Sequence, residues 1–222
     1  KINNFNKISN NPLSLKWKNI IATKKSRICI SIEHIKEYEE MIKFTNLVGN
    51  YISAIKINSN FIFNESILSG LKRLAEYYKF IIIDDKKLIL NNISELKKIN
   101  VYKYVDIVSF NLEFMSEEIE EWFKQQRKHN PMASFIINLS DENDFELAKK
   151  QYEYFNNYIF GFIGVREASN RYFSIIEYSD LNNLNDEFKM LQYTDMVVLG
   201  DELNKSKNPL EVLQKINRIM NT

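Results

Sequence analysis

The residues best suited to chemistry lie in a segment that reads FIIIDDKKLILNN from Phe80 to Asn92. Three consecutive isoleucines followed by charge are typical of a buried parallel strand whose carboxyl end reaches a functional site. Side chains alternate along a strand, so Asp85 and Lys87 would point to the same side and share one pocket. Alternatively, Asp84 to Lys87 form a solvated turn, and this segment alone does not decide between the two.

The composition is that of an ordinary globular chain, with 45% hydrophobic and 27% charged residues among 222. The formal net charge of +1 predicts no strong attraction to nucleic acid or to an anionic membrane, so we expect neither as a partner. Cys29 is the only cysteine, which excludes an internal disulfide and predicts a reducing, cytoplasmic compartment. Its isoleucine neighbours predict that it packs in the core.

Several features that would indicate a ligand are missing from the sequence. The chain has 5 glycines, where about 15 are expected at ~7%, so glycine-rich loops that bind phosphate are not available to it. The bias toward Lys, Asn, Ile, Tyr and Phe is typical of proteins encoded by an AT-rich genome, which accounts for part of this shortage of glycine. No His, Cys and Asp set has the spacing of a metal site. We therefore expect no metal and no cofactor.

Buried strands recur along the chain with amphipathic helical segments between them. The strands are predicted at residues 28–32, 52–57, 81–83, 104–110, 133–139, 158–164, 172–178 and 195–200. Apart from one short step, their starts are about 23 to 29 residues apart, which predicts an α/β fold closed as a single (β/α)8 TIM barrel. A short helix opening at Asn11-Pro12 would plug or flank this barrel, and residues 1–222 would form one domain. The alternative is an open doubly wound sheet.

The ends of the predicted strands form an ordered series of motifs. They read SIE at 31–33, KIN at 56–58, DDKKLILNNIS at 84–94, GFIGVRE at 161–167 and VVLGDEL at 197–203. This series resembles orotidine 5'-monophosphate decarboxylase of the eukaryotic type over nearly the whole chain. The family signature, D-x-K-x-x-D-I-G-N-T, follows strand three. The resemblance implies a (β/α)8 barrel, usually paired as a homodimer with both sites at the interface.

The resemblance also implies a role for each matching residue. Lys87 matches the lysine that protonates the carbanion left by decarboxylation. Asp85 matches the aspartate held against the substrate carboxylate, and Lys56 matches the lysine that orients it. The second aspartate of the signature, which reaches into the neighbouring subunit's site, is replaced by Leu90, which carries no charge. The signature thus survives only in part.

Positions that bind the nucleotide in the family depart further from its pattern. Glu33 replaces the aspartate that binds ribose, and Asn58 replaces a histidine. Glu177 begins the segment that replaces Thr-Pro-Gly after strand seven, while the phosphate-binding Gly-Arg after strand eight reads Gly200-Asp201. A charge pair at 4 Å contributes roughly 4 kcal/mol at an effective dielectric of 20 and about 1 kcal/mol in water. Replacing the arginine by aspartate turns that attraction into repulsion, so we expect weak or absent nucleotide binding.

Together these departures predict a catalytically inactive pseudoenzyme, reused as a structural, scaffold or protein-interaction module with an unidentified protein partner. The alternative is a divergent lyase or nucleotide-ligand-binding protein that still uses Lys56, Asp85 and Lys87. An aromatic cluster of Tyr154, Phe155, Tyr158 and Phe160 has few basic neighbours. It is therefore predicted to pack in the core rather than to stack on nucleic-acid bases.

Overall fold

The structure is a computed structural model. It describes residues 9–33, 35–57, 65–88, 101–111, 117–139, 144–164, 173–178, 194–200, 203 and 206–221, with the backbone alone at 86–88, 101, 111 and 178.

Eight parallel strands form a closed barrel in which each strand pairs with the next in chain order and the last pairs with the first. The strands are β1 (Ile28–Ser31), β2 (Ala54–Ile57), β3 (Ile81–Leu88), β4 (Ile107–Asn111), β5 (Ser134–Asn138), β6 (Ile159–Ile163), β7 (Phe173–Tyr178) and β8 (Met196–Leu199). The predicted (β/α)8 barrel is therefore confirmed, and the open sheet is excluded.

Helices cover the outside of the barrel. In the described ranges they are α1 (Pro12–Lys24), α2 (Tyr38–Val48), α3 (Glu65–Tyr78), α4 (Glu117–His129), α5 (Asp144–Phe155) and α6 (Pro209–Asn221). Each buries one face; on α4 the inward ring of Phe123 lies 4.6 Å from that of Phe135 on β5. The glutamates at 117, 118 and 121 face solvent. None of these described helices is both long and apolar enough to cross a bilayer.

Helix α1 closes the amino-terminal end of the barrel. The Asn11 side chain caps it by accepting a hydrogen bond from the backbone N–H of Leu13. Trp17 is fully buried inside the barrel and packs edge-to-face on Phe160 and Phe173, at centroid distances of 5.6 and 4.7 Å. The short helix predicted at the start of the chain is therefore a plug, and it leaves only the carboxyl-terminal end open for a site.

The glycines that the structure describes in detail make room for neighbours rather than for phosphate. A Cβ on Gly49 would lie 2.6 Å from the ring of Tyr78, and one on Gly161 would lie 2.1 Å from the carbonyl oxygen of Phe173. Gly161 sits in the middle of β6, where β7 approaches closely. Gly164 follows β6 with a φ of +92°, a conformation that favours glycine.

Two predictions need correction. β3 extends to Leu88 rather than stopping at residue 83, and Asp84 and Asp85 are buried within it, so this segment is not a solvated turn. Tyr154 is 84% exposed instead of packed in the core. The reason is helical geometry: Tyr152 faces inward on α5, and a residue two positions later points to nearly the opposite side. Phe160 is buried, as predicted.

Candidate functional site

A layer of polar side chains lies inside the barrel at its carboxyl-terminal end. Its members are Lys56 on β2, Asp85 on β3, Ser109 on β4, Asn138 on β5 and Glu177 on β7. Each follows by two residues an apolar side chain of the barrel interior, namely Ala54, Ile83, Ile107, Ile136 and Ile175. Because side chains alternate with a period of two, each polar residue points to the inside of the barrel one layer above its apolar predecessor.

Lys56 is the centre of this layer. Its Nζ lies 2.9 Å from Asp85 Oδ2, 2.7 Å from Glu177 Oε1 and 3.1 Å from Glu33 Oε1. A lysine ammonium has three N–H donors; two of them bind Asp85 and Glu177, and Glu33 adds a third carboxylate as an ion pair. Burial alone would lower the pKa of Lys56, but the charges and hydrogen bonds of Asp85 and Glu177 raise it well above its ordinary value. Lys56 is therefore a fixed ammonium ion.

Asp85 is held from several sides. Its Oδ1 accepts hydrogen bonds from Ser109 Oγ at 2.6 Å and from Asn138 Nδ2 at 3.5 Å, while Oδ2 binds Lys56. Burial would raise its pKa, but the charge of Lys56 and these hydrogen bonds lower it below the ordinary value. The carboxylate therefore stays ionised in an almost fully buried position.

The floor of the site is buried, whereas its rim is exposed to solvent. The side chains of Lys56 and Asp85 are 7% and 4% exposed, whereas those of Glu33 and Glu177 are 36% and 40% exposed. The Lys56–Glu177 ion pair joins β2 to β7, which are separated in the barrel by β8 and β1. One ammonium and three carboxylates give these four side chains a net charge of −2. The described side chains at the mouth are therefore acidic overall, around a lysine that is already paired.

The structure brings together some of the predicted site residues. Lys56, Asp85 and Glu33 meet at the mouth, and Gly200 directly follows β8. Lys87 belongs to β3, but only its backbone is described, so the pocket that it would share with Asp85 stays a prediction. The pairing of β3 with β4 shifts register between Asp84 and Leu88, which interrupts the regular alternation behind that prediction. Asn58, Leu90 and Asp201 lie outside the described residues.

Ser109 and Asn138 are functional-site residues that the motifs did not reveal. Each is a polar residue on the strand face that points into the barrel, two positions after an apolar residue of the interior. Such a position is unfavourable for a polar group without a partner, and that signal could have identified them. Cys29 was correctly predicted as a packing residue: it is fully buried, and burial raises the pKa of its thiol. In the described ranges, no group of three or more His, Cys, Asp or Glu residues could hold a metal ion.

Comparisons with known proteins agree on one family. No family model matches the chain. Orotidine 5'-phosphate decarboxylase of Kluyveromyces marxianus is 34% identical over 80 residues, which cover 34% of this chain and 29% of that protein. The enzyme of Maudiozyma exigua is 30% identical over 99 residues, covering 42% of this chain and 37% of that protein.

Solved structures give the same result for the fold. Orotidine 5'-monophosphate decarboxylase of Methanocaldococcus jannaschii, in complex with the inhibitor BMP, matches 89% of this chain and 99% of its own, with a TM-score of 0.65 and 15% identity. The enzyme of Pyrococcus horikoshii matches 88% and 99%, with a TM-score of 0.63 and 21% identity. The chain matches only 29% to 37% of the length of the curated relatives, but the predicted resemblance to this family is confirmed.

Proposed function

We propose that this chain, a relative of the orotidine 5'-phosphate decarboxylases, is a catalytically inactive barrel that works as a structural, scaffold or protein-interaction module. The observation that carries the proposal is the pairing of Lys56 with Asp85, Glu177 and Glu33 of its own chain. A lysine that orients a substrate needs an N–H group that is free to donate a hydrogen bond to that substrate. Here Lys56 donates hydrogen bonds to Asp85 and Glu177, and the Glu33 carboxylate forms an ion pair with it at 3.1 Å.

Electrostatics also opposes the family's substrate at this mouth. Orotidine 5'-monophosphate carries a carboxylate and a phosphate, and Lys56 with its three carboxylate partners already has a net charge of −2. A further carboxylate about 6 Å from Glu177 would be repelled by about 3 kcal/mol at an effective dielectric of 20. Asp201, in place of the phosphate-binding arginine, adds repulsion at the other end of the substrate. Both changes disfavour the substrate.

The fold itself is preserved while the site has changed. All eight strands close into a barrel with two apolar clusters, one inside the barrel and one between the strands and the helices, so the chain keeps a folded outer surface that a protein partner could use. A homodimer of the family type is a second way to use that surface. We propose no nucleic-acid or membrane partner because the net charge is +1. A cytoplasmic location would suit the single free Cys29.

The alternative function is a divergent lyase or a nucleotide-binding protein that still uses Lys56, Asp85 and Lys87. It is favoured by one observation, the intact Lys56–Asp85 pair with its supporting bond from Ser109. In this case Glu33 and Glu177 would leave Lys56 when the ligand enters.

A thermal-shift titration with uridine monophosphate separates the two functions. A ligand at 100 times its dissociation constant stabilises the folded state by about 2.7 kcal/mol. For a domain of this size, that is a rise of roughly 5–10 °C in Tm. The scaffold proposal predicts no shift at millimolar ligand. A saturable rise that is lost in the Lys56→Met variant would contradict it and support the alternative.

A further inference from the structure

The three carboxylates around Lys56 are not equivalent. Asp85 is buried and is fixed by Ser109 and Asn138 as well as by Lys56. Glu177 reaches Lys56 from the rim, and its side chain is 40% exposed. In the part of the chain that the structure describes, Lys56 is the group to which Glu177 is bound. Asp85 is thus fixed by three side chains, whereas Glu177 is held, among the described residues, by its ion pair with Lys56.

We propose that Glu177 is an internal carboxylate ligand that occludes a carboxylate-binding position on Lys56, an autoinhibitory contact built into β7. This inference rests on the proposed loss of decarboxylase function and explains how the mouth is kept closed. The ligand class that Glu177 replaces is a small molecule bearing a carboxylate, because Glu177 presents that group to the lysine at 2.7 Å.

Charge balance decides when this position can be occupied. In the wild-type protein an external carboxylate would be the fourth around a single ammonium ion. Without Glu177 the same ligand would be the third, and the total charge around Lys56 would equal that of the unliganded wild type. A ligand carboxylate that replaces the Glu177 carboxylate therefore avoids the repulsion that it would meet as a fourth carboxylate around Lys56. Removing Glu177 should open the site, rather than merely weaken the barrel.

The Lys56 N–H group that Glu177 occupies faces the side from which a ligand would enter. Asp85 occupies the buried side of the ammonium, with 4% of its side chain exposed. Glu177 and Glu33 occupy the rim side, where 40% and 36% of their side chains are exposed. A donor released by loss of Glu177 therefore faces the accessible part of the mouth, and no buried group has to move.

The test is isothermal titration of Glu177→Ala and wild-type protein with orotate and with uracil. These probes share a pyrimidine ring and differ in the carboxylate. We expect Glu177→Ala to bind orotate at least tenfold more tightly than the wild type does, and uracil no better. Glu177→Gln keeps the shape and an acceptor oxygen, so its gain should be smaller and in the same direction. Glu118→Ala removes an exposed glutamate of α4 and should behave as the wild type.

Two results would overturn the inference. One is equal orotate affinity in the wild type and in both Glu177 variants. The other is an equal gain for uracil, which would show a general opening of the mouth without recognition of a carboxylate. Failure of the proposed function is seen separately, as turnover of orotidine 5'-monophosphate by the unmodified protein. If Glu177→Ala does not fold, Glu177→Gln, which preserves the side-chain volume, decides the question by the same comparison.

Discussion

Replacing Lys56 by methionine tests whether the ion-paired mouth is a stabilising structure. The substitution keeps an apolar stem of similar length but leaves Asp85 buried without its ammonium partner, beside two other carboxylates. Removal of one partner from a buried ion pair costs about 3–5 kcal/mol. At roughly 2–4 °C per kcal/mol for a domain of this size, Tm should fall by roughly 6–20 °C at neutral pH.

The pH dependence of this loss is a second part of the same prediction. The pKa of Asp85 is depressed in the folded wild type, so its contribution to stability is present above the unfolded pKa and is lost as pH falls through the folded pKa. The pKa of Lys56 is raised, so its contribution is present below the unfolded pKa and is lost as pH rises through the folded pKa. The pair thus stabilises the barrel most between about pH 4 and pH 10.

In the variant, burial without the ammonium should raise the pKa of Asp85, so that the carboxylate takes up a proton more readily. The difference in Tm between wild type and Lys56→Met should therefore narrow from pH 7.5 to pH 4.5. Thermal unfolding followed by circular dichroism measures the Tm of each protein at the two pH values. The matched control is Lys124→Met, which breaks a surface pair with Glu120 on α4 and should leave Tm nearly unchanged, because exposed ion pairs contribute little to stability. An equal effect of the two variants, or a Tm difference independent of pH, would refute the reasoning.

Three further substitutions test other parts of the account. Gly161→Ala places a Cβ 2.1 Å from the carbonyl oxygen of Phe173, and such overpacking should cost at least about 1–3 kcal/mol in urea unfolding; an unchanged midpoint would contradict that contact. Arg27→Ala removes the buried guanidinium that donates to the Met220 carbonyl at the end of α6, so α6 should become sensitive to limited proteolysis; equal cleavage rates would show that Arg27 does not anchor it. Asp201→Arg should restore weak phosphate binding without decarboxylation, and turnover by this single variant would mean that the site is not degenerate.

The barrel could be predicted from the sequence because parallel buried strands carry a strong local signal. The apolar runs around Ile30, Ile55 and Ile82 identify strands without any knowledge of their partners, and eight consecutive parallel units favour a closed barrel over an open sheet. The boundary of β3 was missed because charged residues normally end a strand. Asp85 stays in the strand because Lys56, Ser109 and Asn138 bind its carboxylate inside the barrel.

The site could be predicted only in part. Lys56 and Asp85 are recognisable by position, and they do form a pair. The engagement of Glu177 with Lys56 depends on two strands that are 121 residues apart in the chain and three steps apart in the barrel. No local pattern encodes such a cross-barrel distance. The supporting roles of Ser109 and Asn138 depend in the same way on strand register.

Because Lys56 is paired with carboxylates of its own chain, we propose that the barrel does not decarboxylate. Conversion of orotidine 5'-monophosphate to uridine monophosphate by the purified protein can be followed by absorbance, with an active fungal relative as the positive control. We expect no conversion above the uncatalysed rate. Conversion that is proportional to protein concentration and is abolished by Lys56→Met would contradict it.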